Sequence, residues 1–402
     1  MKRRTFIKNS GWLAGGITLS NSFRSFGIMN DHQKINIGII GCGDRGKGIM
    51  SVMKDLKNIF NVVAICDVLD FRFTEAKKLM PGSNLRSYTD YRQLLDDKNI
   101  DAVVNATPLY LHFQISSDAL KAGKHIYHEK TMAFTIEESL SFIKLVESKP
   151  RQVFQVGHQY RSVPLYGRVK EMIEKDYLGK VTQIDCRWDR NSSWRRPVPD
   201  PKLERQINWR MYKAYSGGLT AELLSHQIDF INWAFKSTPE TIIGTGGIDY
   251  YKDGRETFDN VQVVLRYSEG MIGNFGATCG NSREGYIFKI KGTKGTVELT
   301  VNEGFYFPES KTRKELETVD GVTGATKIEW TKEGGIPVLK EKSKDGTWYA
   351  LKEFYDCIQS KKLPSSNVYT GAKTAIIVKL ANESMYQNEI HKWKPEYNIV
   401  KK

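Results

Sequence analysis

Three glycines have the spacing that holds a dinucleotide. The segment "KINIGIIGCGDRGKGIM" starts with an apolar run at residues 35–40, typical of a buried strand, and passes through Gly-x-Gly-x-x-Gly into a helix-like stretch. In this pattern the glycines make the tight turn, let the backbone approach a pyrophosphate and permit close helix–strand packing. The helix N-terminus directs free N–H groups at the phosphates. The residues predicted to contact the dinucleotide here are Gly41, Gly43, Asp44, Arg45 and Gly46.

A carboxylate stands where the adenosine ribose would lie. The apolar run "NVVAICD" follows the helix and ends in Asp67, about twenty residues beyond the last glycine, where an acid holds the ribose hydroxyls. An acid at this position disfavours the extra phosphate of NADP, so we predict NAD. Arg72 lies close by in the sequence and keeps NADP open as the alternative.

Strands that alternate with helices must position this site. "DAVVNATP" (residues 101–108) is a strand broken at its carboxyl end, where ligands bind in open α/β sheets, and "KAGKHIYHEK" supplies another strand. This alternation predicts a right-handed, parallel, doubly wound sheet. Further residues predicted to bind the cofactor at these strand ends are Thr107, Pro108, His112, Glu129 and Lys130.

The second half of the chain has the pattern of a different sheet. "VTQIDCRW", "DNVQVVLRY", "MIGNFGAT", "YIFKIKG" and "GTVELTV" alternate in polarity or are rich in β-branched residues, with turn residues between them. "LLSHQIDFINWAF" and "WYALKEFYDCIQS" have helical spacing. We predict a Rossmann domain over residues 34–156 and a substrate and oligomerisation domain over residues 157–402.

Composition narrows the function classes. The 402 residues carry a net charge of +14, with 40% hydrophobic and 26% charged residues, which suits a globular protein of two domains. Basic residues beyond the N-terminal segment alternate with acids, which is typical of solvated faces and not of a nucleic-acid surface. The five cysteines are widely spaced and form no C-x-x-C pair, so we expect buried thiols and neither a disulfide scaffold nor a metal site.

The N-terminal segment has the features of an export signal. "KRRTFIK" precedes "NSGWLAGGITLSNSF", so two adjacent arginines stand before a weakly apolar, glycine-rich stretch too short and polar for a membrane span. This pattern predicts a twin-arginine signal over residues 1–33 and a periplasmic protein, and an amphipathic first helix in a cytoplasmic protein is the alternative.

Taken in order, these segments resemble the Gfo/Idh/MocA family of sugar dehydrogenases. The resemblance extends from about residue 35 to residue 395 and rests on "GIIGCGDRG", "ICD", "DAVVNATPLYLH", "GKHIYHEKTMAFTIEES", "QVGHQYR", "GGLTAELLSHQID", "FDNVQVVLRYSEG", "IKGTKGTVEL" and "FYDCIQSKKLPSSNVYTGAKTA". It implies an N-terminal Rossmann domain and a C-terminal α/β domain with a large, open, mainly antiparallel sheet. An exposed sheet face of this kind implies a homo-oligomer.

The resemblance assigns a chemical role to Lys130. In the family this lysine follows a glutamate and precedes a proline, and the triplet here is Glu129-Lys130-Thr131. Lys130 would polarise the reacting sugar oxygen or shuttle its proton with a lowered pKa. A surface lysine after a strand is the alternative from the residues alone.

Glu222 and His226 are predicted to complete the catalytic set. Their i, i+4 spacing places them on one helix face, and the family has Asp-x-x-x-His after a Gly-Gly at this point, with Glu222 replacing the Asp. His226 would take the proton of a sugar hydroxyl as hydride leaves the carbon, and Glu222 would orient the imidazole. A core histidine bonded to a neighbour is the alternative. Asp229 fits either the pocket or an exposed helix position.

Four further residues are predicted to bind the substrate or to pack beside it. The resemblance places "QVGHQYR" near the substrate, so His158 and Arg161 are candidates, with Arg161 contacting hydroxyls or a carboxylate. Trp209 and Arg210 lie with Trp194 in a loop-like stretch rich in Trp, Arg and Pro. Such aromatic residues either stack on a sugar or anchor the loop.

Three functions remain open from the sequence. The first is an NAD-dependent oxidation of a sugar or polyol. The second, prompted by the export signal, is a redox-neutral glycosidase, lyase or sugar–sugar oxidoreductase that recycles a tightly held NAD through a keto sugar. The third is a non-catalytic sugar-binding protein that holds NAD. Specificity lies in loop contacts that no spacing rule decodes, so the sequence does not name the sugar.

Overall fold

The computed structural model describes residues 34–317 and 331–399. The predicted export signal at residues 1–33 lies outside the described residues. None of the helices in the described part of the chain has the length and apolar character needed to cross a membrane.

The first sheet has six strands in the order β3-β2-β1-β4-β5-β6, and every pairing in it is parallel. Strand β1 is almost entirely buried, as a strand covered by helices on both faces must be. The strand order reverses between β1 and β4, which opens a crevice at their carboxyl ends. The strands are β1 Ile35–Ile40, β2 Phe60–Cys66, β3 Arg86–Tyr88, β4 Ala102–Asn105, β5 His125–His128 and β6 Phe154–Val156.

The second sheet has nine strands in the order β14-β13-β12-β11-β7-β10-β9-β8-β15, antiparallel except where β7 pairs with β10. Alternate side chains of Asn260–Tyr267 are buried, so one face packs on the core and the other stays accessible. The strands are β7 Val181–Trp188, β8 Pro239–Gly247, β9 Asn260–Tyr267, β10 Ile272–Thr278, β11 Tyr286–Gly292, β12 Gly295–Leu299, β13 Gly304–Pro308, β14 Ile336–Pro337 and β15 His391–Lys392. The predicted fold class is confirmed.

Helices cover the faces of both sheets. The α-helices are α1 Asp44–Asp55, α2 Asp70–Leu79, α3 Tyr91–Asp96, α4 His112–Lys121, α5 Ile136–Glu147, α6 Pro164–Glu174, α7 Glu204–Ile207, α8 Ser225–Phe235, α9 Ser310–Glu317, α10 Gly346–Ser360 and α11 Val368–Gln387. Short 3-10 turns occupy Leu109–Leu111, Gln159–Ser162, Pro201–Leu203, Trp209–Met211 and Pro395–Tyr397. A π-helical turn, Thr220–Leu224, runs directly into α8.

The C-terminal helices correct the predicted domain division at residue 157. Helix α10 packs Leu351 and Phe354 into the core of the first domain together with Ile37 of β1. The side-chain amide of Gln155 donates to the Ala350 carbonyl at 2.7 Å. Amphipathic spacing predicts a helix but not which sheet it covers, so the sequence could not show that this helix returns to the Rossmann domain.

Close approach of α1 to the end of β1 explains the spacing of the glycines. Gly41 has φ +93, a region that favours glycine, and a Cβ on Gly46 would lie 2.0 Å from the Gly41 carbonyl oxygen. The loop that faces the dinucleotide site therefore exists only without side chains at these two positions.

We expect Gly46→Ala to lower the free energy of unfolding by about 1–3 kcal/mol, because the added methyl group forces α1 away from β1. Urea denaturation followed by tryptophan fluorescence measures this. Gly48→Ala, two residues along the same helix, is the matched control, since its Cβ would meet no atom within 4 Å. It should be neutral or stabilise by up to about 1 kcal/mol. Equal losses for the two variants would refute the close-approach explanation.

Candidate active site

Two adjoining cavities lie at the carboxyl ends of the parallel strands. The larger, of about 620 Å³, is lined by Gly41, Asp67 and Pro108 among others. The smaller, of about 430 Å³, is lined by Lys130 from the first domain and His226 from the second. The larger cavity therefore contains the predicted ribose-binding carboxylate, and the smaller one contains the predicted acid–base residues.

Asp67 is held at the end of β2 by main-chain amides. Its carboxylate accepts from Cys42 N at 2.7 Å and from Leu69 N at 3.0 Å. Burial raises the pKa of Asp67 above its ordinary value despite these bonds and the nearby Arg72, whose Nε lies 4.0 Å away. The Arg72 guanidinium also lies over Gly43, so both residues flank the turn that a dinucleotide would follow. The five cysteines of the chain are free and buried.

Arg45 links the glycine loop to β5 and to α10. Its Nε donates to Glu129 Oε1 at 2.7 Å, and its Nη1 donates to Thr347 Oγ1 at 3.1 Å. Burial acts to lower the pKa of Arg45, but the Glu129 carboxylate together with other nearby acidic groups outweighs it, so the pKa is raised. Arg45 and Glu129 both line the smaller cavity. Thr347 was missed because no local pattern connects it with a loop 302 residues earlier.

His112 fixes the ends of two loops beside the site. Its Nδ1 lies 2.8 Å from the Thr131 carbonyl oxygen and its Nε2 lies 3.0 Å from that of Thr107. Burial lowers the pKa of His112. His112 lines the smaller cavity, and its polar atoms are directed at the two loops. Thr107 lines both cavities.

Lys130 and Thr131 reach across to the π-helical turn of the second domain. Lys130 Nζ donates to the Glu222 carbonyl oxygen and Thr131 Oγ1 donates to that of Ala221, each at 2.9 Å. The Lys130–Thr131 peptide is cis. Burial is the main cause that lowers the pKa of Lys130. The threonine hydroxyl therefore ties down this segment at the position where the family has proline.

Glu222 does not orient the imidazole, which corrects the role predicted for it. Its carboxylate accepts from Arg210 Nε at 2.8 Å, and the Arg210 guanidinium lies 4.3 Å from the centroid of the Trp209 ring. Burial acts to raise the pKa of Glu222, but the charges of Arg210 and Lys130 and the hydrogen bond from Arg210 together outweigh it, so the pKa is lowered. A guanidinium makes a charge-assisted bond that a neutral imidazole does not match. Glu222, Arg210 and Trp209 all line the smaller cavity.

His226 presents an uncharged imidazole to the smaller cavity. Its ring lies among those of Tyr160, Trp188 and His158, with centroids 5.2, 5.5 and 6.0 Å away. Burial, and then the charge of Lys130, lower the pKa of His226 well below its ordinary value. Among the described residues its Nδ1 has no hydrogen-bond partner. An imidazole of this kind is ready to accept a proton from a bound hydroxyl.

Arg161 and Asp229 bind each other behind the cavity and do not line it, which corrects their predicted contact with substrate. Arg161 Nε and Nη2 donate to the Asp229 carboxylate at 2.7 and 2.9 Å, and Thr374 Oγ1 donates to it at 3.1 Å. His158 Nδ1 lies 3.5 Å from the same carboxylate, and burial lowers the pKa of His158 to about 4. Spacing alone could not show that two predicted ligands would neutralise each other.

The loop after β7 forms a wall of the smaller cavity. Trp188, Arg190, Trp194 and Arg196 line it together with the predicted Trp209. Arg196 Nη2 lies 2.9 Å from Asp44 Oδ2, so this loop contacts the start of α1. Asp44, which was predicted to contact the dinucleotide, lines the smaller cavity and forms this ion pair at its edge. The abundance of Trp and Arg in the stretch was the one sequence signal for these wall residues.

Comparison with known proteins gives one consistent family. Residues 35–158 match the model of the oxidoreductase family with an NAD-binding Rossmann fold, GFO/IDH/MocA, and residues 166–298 match the GFO/IDH/MocA C-terminal domain. Levoglucosan dehydrogenase of Pseudarthrobacter phenanthrenivorans is 29% identical over 294 residues, 66% of this chain and 73% of that protein. An inositol 2-dehydrogenase/D-chiro-inositol 3-dehydrogenase of Lactiplantibacillus plantarum is 30% identical over 160 residues, 40% of this chain and 45% of that protein.

The fold also matches solved structures. A levoglucosan dehydrogenase in complex with NADH and levoglucosan superposes with a TM-score of 0.72 at 23% identity, covering 90% of this chain and 99% of that chain. At this identity the likeness shows the shared fold alone.

The Arg161–Asp229 pair should be a strong stability determinant. We expect Arg161→Met to lower the free energy of unfolding at pH 7 by about 3–5 kcal/mol, because it leaves a buried carboxylate without its cation. In the native protein the pKa of Asp229 is lowered, mainly by the charge of Arg161. The ionised carboxylate therefore stabilises the folded state at pH values above the ordinary Asp pKa. This stabilisation is lost as the pH falls through the pKa of Asp229 in the folded protein. The difference in the free energy of unfolding between the native protein and Arg161→Met should therefore decrease as the pH falls toward the ordinary Asp pKa.

Urea denaturation at several pH values measures this difference. The double variant Arg161→Met/Asp229→Leu should recover most of the lost stability. Lys175→Met is the control, since its exposed ion pair with Glu171 should contribute no more than about 1 kcal/mol. A double variant no more stable than Arg161→Met would refute the ion-pair explanation.

Proposed function

We propose that this chain, which belongs to the GFO/IDH/MocA family of oxidoreductases with an NAD-binding Rossmann fold, is an NAD-dependent dehydrogenase of a sugar or polyol. One observation carries the proposal. Lys130 from the first domain and His226 from the second line the same cavity, which adjoins the glycine loop. A proton acceptor and a cationic donor are thus both available where a carbinol would meet the cofactor.

The residues around the larger cavity fit a dinucleotide. The Asp67 carboxylate lines it, and the glycines at positions 41 and 43 leave room there for a pyrophosphate. When bound, NAD supplies the hydride acceptor. Asp67 would bind the ribose hydroxyls, and the N-terminus of α1 would face the phosphates.

Lys130 and His226 divide the acid–base work. His226 accepts the hydroxyl proton, since its depressed pKa keeps the imidazole uncharged. The Lys130 ammonium donates to the same substrate oxygen and stabilises the developing negative charge. The charges of Glu222 and Arg210 neutralise each other beside Lys130 and His226. This ion pair therefore leaves Lys130 and His226 free to act on the substrate.

A polyhydroxylated ring is the substrate class that the wall of the cavity supports. Trp188, Trp194 and Trp209 offer aromatic faces, on which the C–H faces of sugars stack. Relatives named for levoglucosan and for inositols act on compounds of this class. We propose a substrate of the same class for this chain, and we do not assign either compound to it.

The twin arginines at Arg3 and Arg4 favour a second outcome of the same chemistry. We propose that residues 1–33 direct the folded protein to the periplasm, where free NAD is not recycled. A tightly held NAD that is reduced and reoxidised within one turnover would then give a redox-neutral glycosidase, lyase or sugar–sugar oxidoreductase. Fractionation of cells producing the natural chain and its Arg3→Lys/Arg4→Lys variant tests the export step.

We further propose that the accessible face of the nine-stranded sheet mediates homo-oligomer formation. Strand β9 leaves alternate side chains accessible on this face, including Arg266 and Gln262. Light scattering of the purified protein at several concentrations tests this proposal, and a monomer throughout would contradict it.

The first experiment identifies the cofactor and its fate. Nucleotide is released from the purified protein by denaturation, and the nicotinamide absorbance of intact protein is followed with levoglucosan, inositols, free sugars and glycosides. We expect bound or binding-competent NAD and a spectral response. Accumulation of NADH from added NAD supports the dehydrogenase, whereas transient reduction with a changed sugar supports the redox-neutral enzyme. The absence of any nucleotide binding or spectral response would contradict both.

The second experiment tests the acid–base assignment through pH. Oxidation requires neutral His226, whose pKa is lowered by burial, so activity should persist below the ordinary His pKa of about 6.5 and fall only further into the acid range. Oxidation also requires protonated Lys130, whose pKa is lowered by burial, so the alkaline limb should lie below the ordinary Lys pKa.

Removing either group should affect turnover and not cofactor binding. We expect His226→Asn and Lys130→Met each to lower kcat by about 10²–10⁴-fold while the affinity for NAD changes little. Lys121→Met, on the exposed side of α4, is the control and should retain full activity. If both site variants keep their turnover and lose only sugar affinity, Lys130 and His226 bind the sugar and do not act as acid and base.

A further inference from the structure

Most cations that line the smaller cavity are already neutralised by acids. Three of its arginines have a carboxylate within 3 Å, and a fourth has one at 4.0 Å. The pairs are Arg45–Glu129, Arg196–Asp44, Arg210–Glu222 and Arg72–Asp67. A cation without such a partner is therefore an exception in this cavity.

Arg190 is one of the two exceptions among the described residues, and Lys130 is the other. Within residues 34–317 and 331–399 its guanidinium forms no ion pair, and its buried Nε has no hydrogen-bond acceptor. The guanidinium carbon lies 5.9 Å from the Trp188 ring centroid and 5.4 Å from that of Trp194. Aromatic faces stabilise a cation but accept none of its in-plane N–H bonds. Arg190 is only partly buried and lines the cavity, so the rest of its guanidinium is available to an acceptor that arrives with a ligand.

The loop around Arg190 is fixed before any ligand binds. Arg190 N donates to the Thr278 carbonyl at 2.8 Å, and the Ser193 carbonyl accepts from Arg255 Nη2 at 2.9 Å. Trp194 has φ +61, an unfavourable region for a bulky residue that only firm surroundings maintain. Arg195 anchors the next position through Asp253. The guanidinium is thus preorganised in the wall, which reduces the entropy cost of binding.

Arg190 lies at the substrate end of the site. It lines the smaller cavity but not the larger one that contains Asp67. The Trp188 ring against which it packs is 5.5 Å from the ring of His226. The acceptor that Arg190 lacks would therefore belong to the molecule whose hydroxyl faces His226, and not to the dinucleotide phosphates.

We propose that the substrate is a sugar acid whose carboxylate is bound by Arg190. This inference rests on the proposed function, because it concerns the same cavity and the same reaction. A guanidinium binds a carboxylate through two parallel N–H bonds, which a neutral hydroxyl does not accept. Lys130 is the other lining cation without a carboxylate contact among the described residues, and the reaction uses it. One free guanidinium matches the single charge of a carboxylate better than a phosphate dianion.

The test compares acidic and neutral sugars on the NADH-saturated protein. D-glucuronate, D-galacturonate and D-mannuronate are each titrated against the matching neutral hexose by calorimetry, with glucose 6-phosphate as the phosphate probe. In at least one pair we expect the acid to bind about tenfold or more tightly at low salt. Arg190→Gln should abolish that preference, Arg190→Lys should restore part of it, and Arg151→Gln, which removes an exposed arginine from the turn before β6, should leave it unchanged.

Three results would overturn the inference. They are no acid preference in any pair, a preference that survives in a folded Arg190→Gln protein, and tighter binding of glucose 6-phosphate than of every uronate. Thermal unfolding of each variant shows whether it is folded, and Arg190→Lys keeps the test informative if Arg190→Gln is not.

The same samples separate this inference from the proposed function. Reduction of NAD by neutral sugars without any acid preference would overturn the carboxylate assignment and leave the dehydrogenase standing. Arg190-dependent uronate binding without any nicotinamide reduction would overturn the dehydrogenase and leave the carboxylate site standing.

Discussion

Lys130 and Thr131 leave the carboxyl end of the Rossmann sheet and donate to adjacent carbonyl oxygens of the π-helical turn at Thr220–Leu224. A buried ammonium requires such an acceptor, and a main-chain oxygen can supply one because it has two lone pairs. π-helical turns occur often at functional sites, where the helix repeat changes. Through this contact the turn places His226, at the start of α8, beside a lysine from the other domain. Lys130 and His226 therefore line the same cavity although they come from different domains.

Pairing of charges gives the cavity its chemical character. The Arg45–Glu129 and Arg210–Glu222 pairs neutralise groups that burial would otherwise make unfavourable. Lys130 has no carboxylate partner of this kind among the described residues, and burial lowers its pKa, so it remains available to react. In a site of low dielectric constant, paired charges fix the surrounding field and leave the unpaired groups to respond to a ligand.

Local patterns predicted the elements well and the pairings poorly. The glycine spacing and Asp67 belong to one strand–helix–strand unit, and in the structure they line the same cavity at the crevice. The acceptor of Arg161 lies 68 residues along the chain, and that of Arg45 lies 84 residues along. Each of these pairs lies within one domain, and the tertiary packing of that domain decides which acid meets which base. The same reason explains why the helical spacing of Glu222 could not predict its bond to Arg210.

The location of a buried polar atom without a hydrogen-bond partner helps to tell a functional group from a structural one. Among residues 34–317 and 331–399, Tyr127 Oη and Gln155 Oε1 are buried without hydrogen-bond partners, and neither residue lines either cavity of the site. His226 Nδ1 and Arg190 Nε also have no partner in this part of the chain, but both residues line the smaller cavity. Buried polar groups are otherwise almost always satisfied in native proteins. The imidazole and the guanidinium beside one cavity thus support the proposed substrate, which would bring a hydroxyl to the first and a carboxylate to the second.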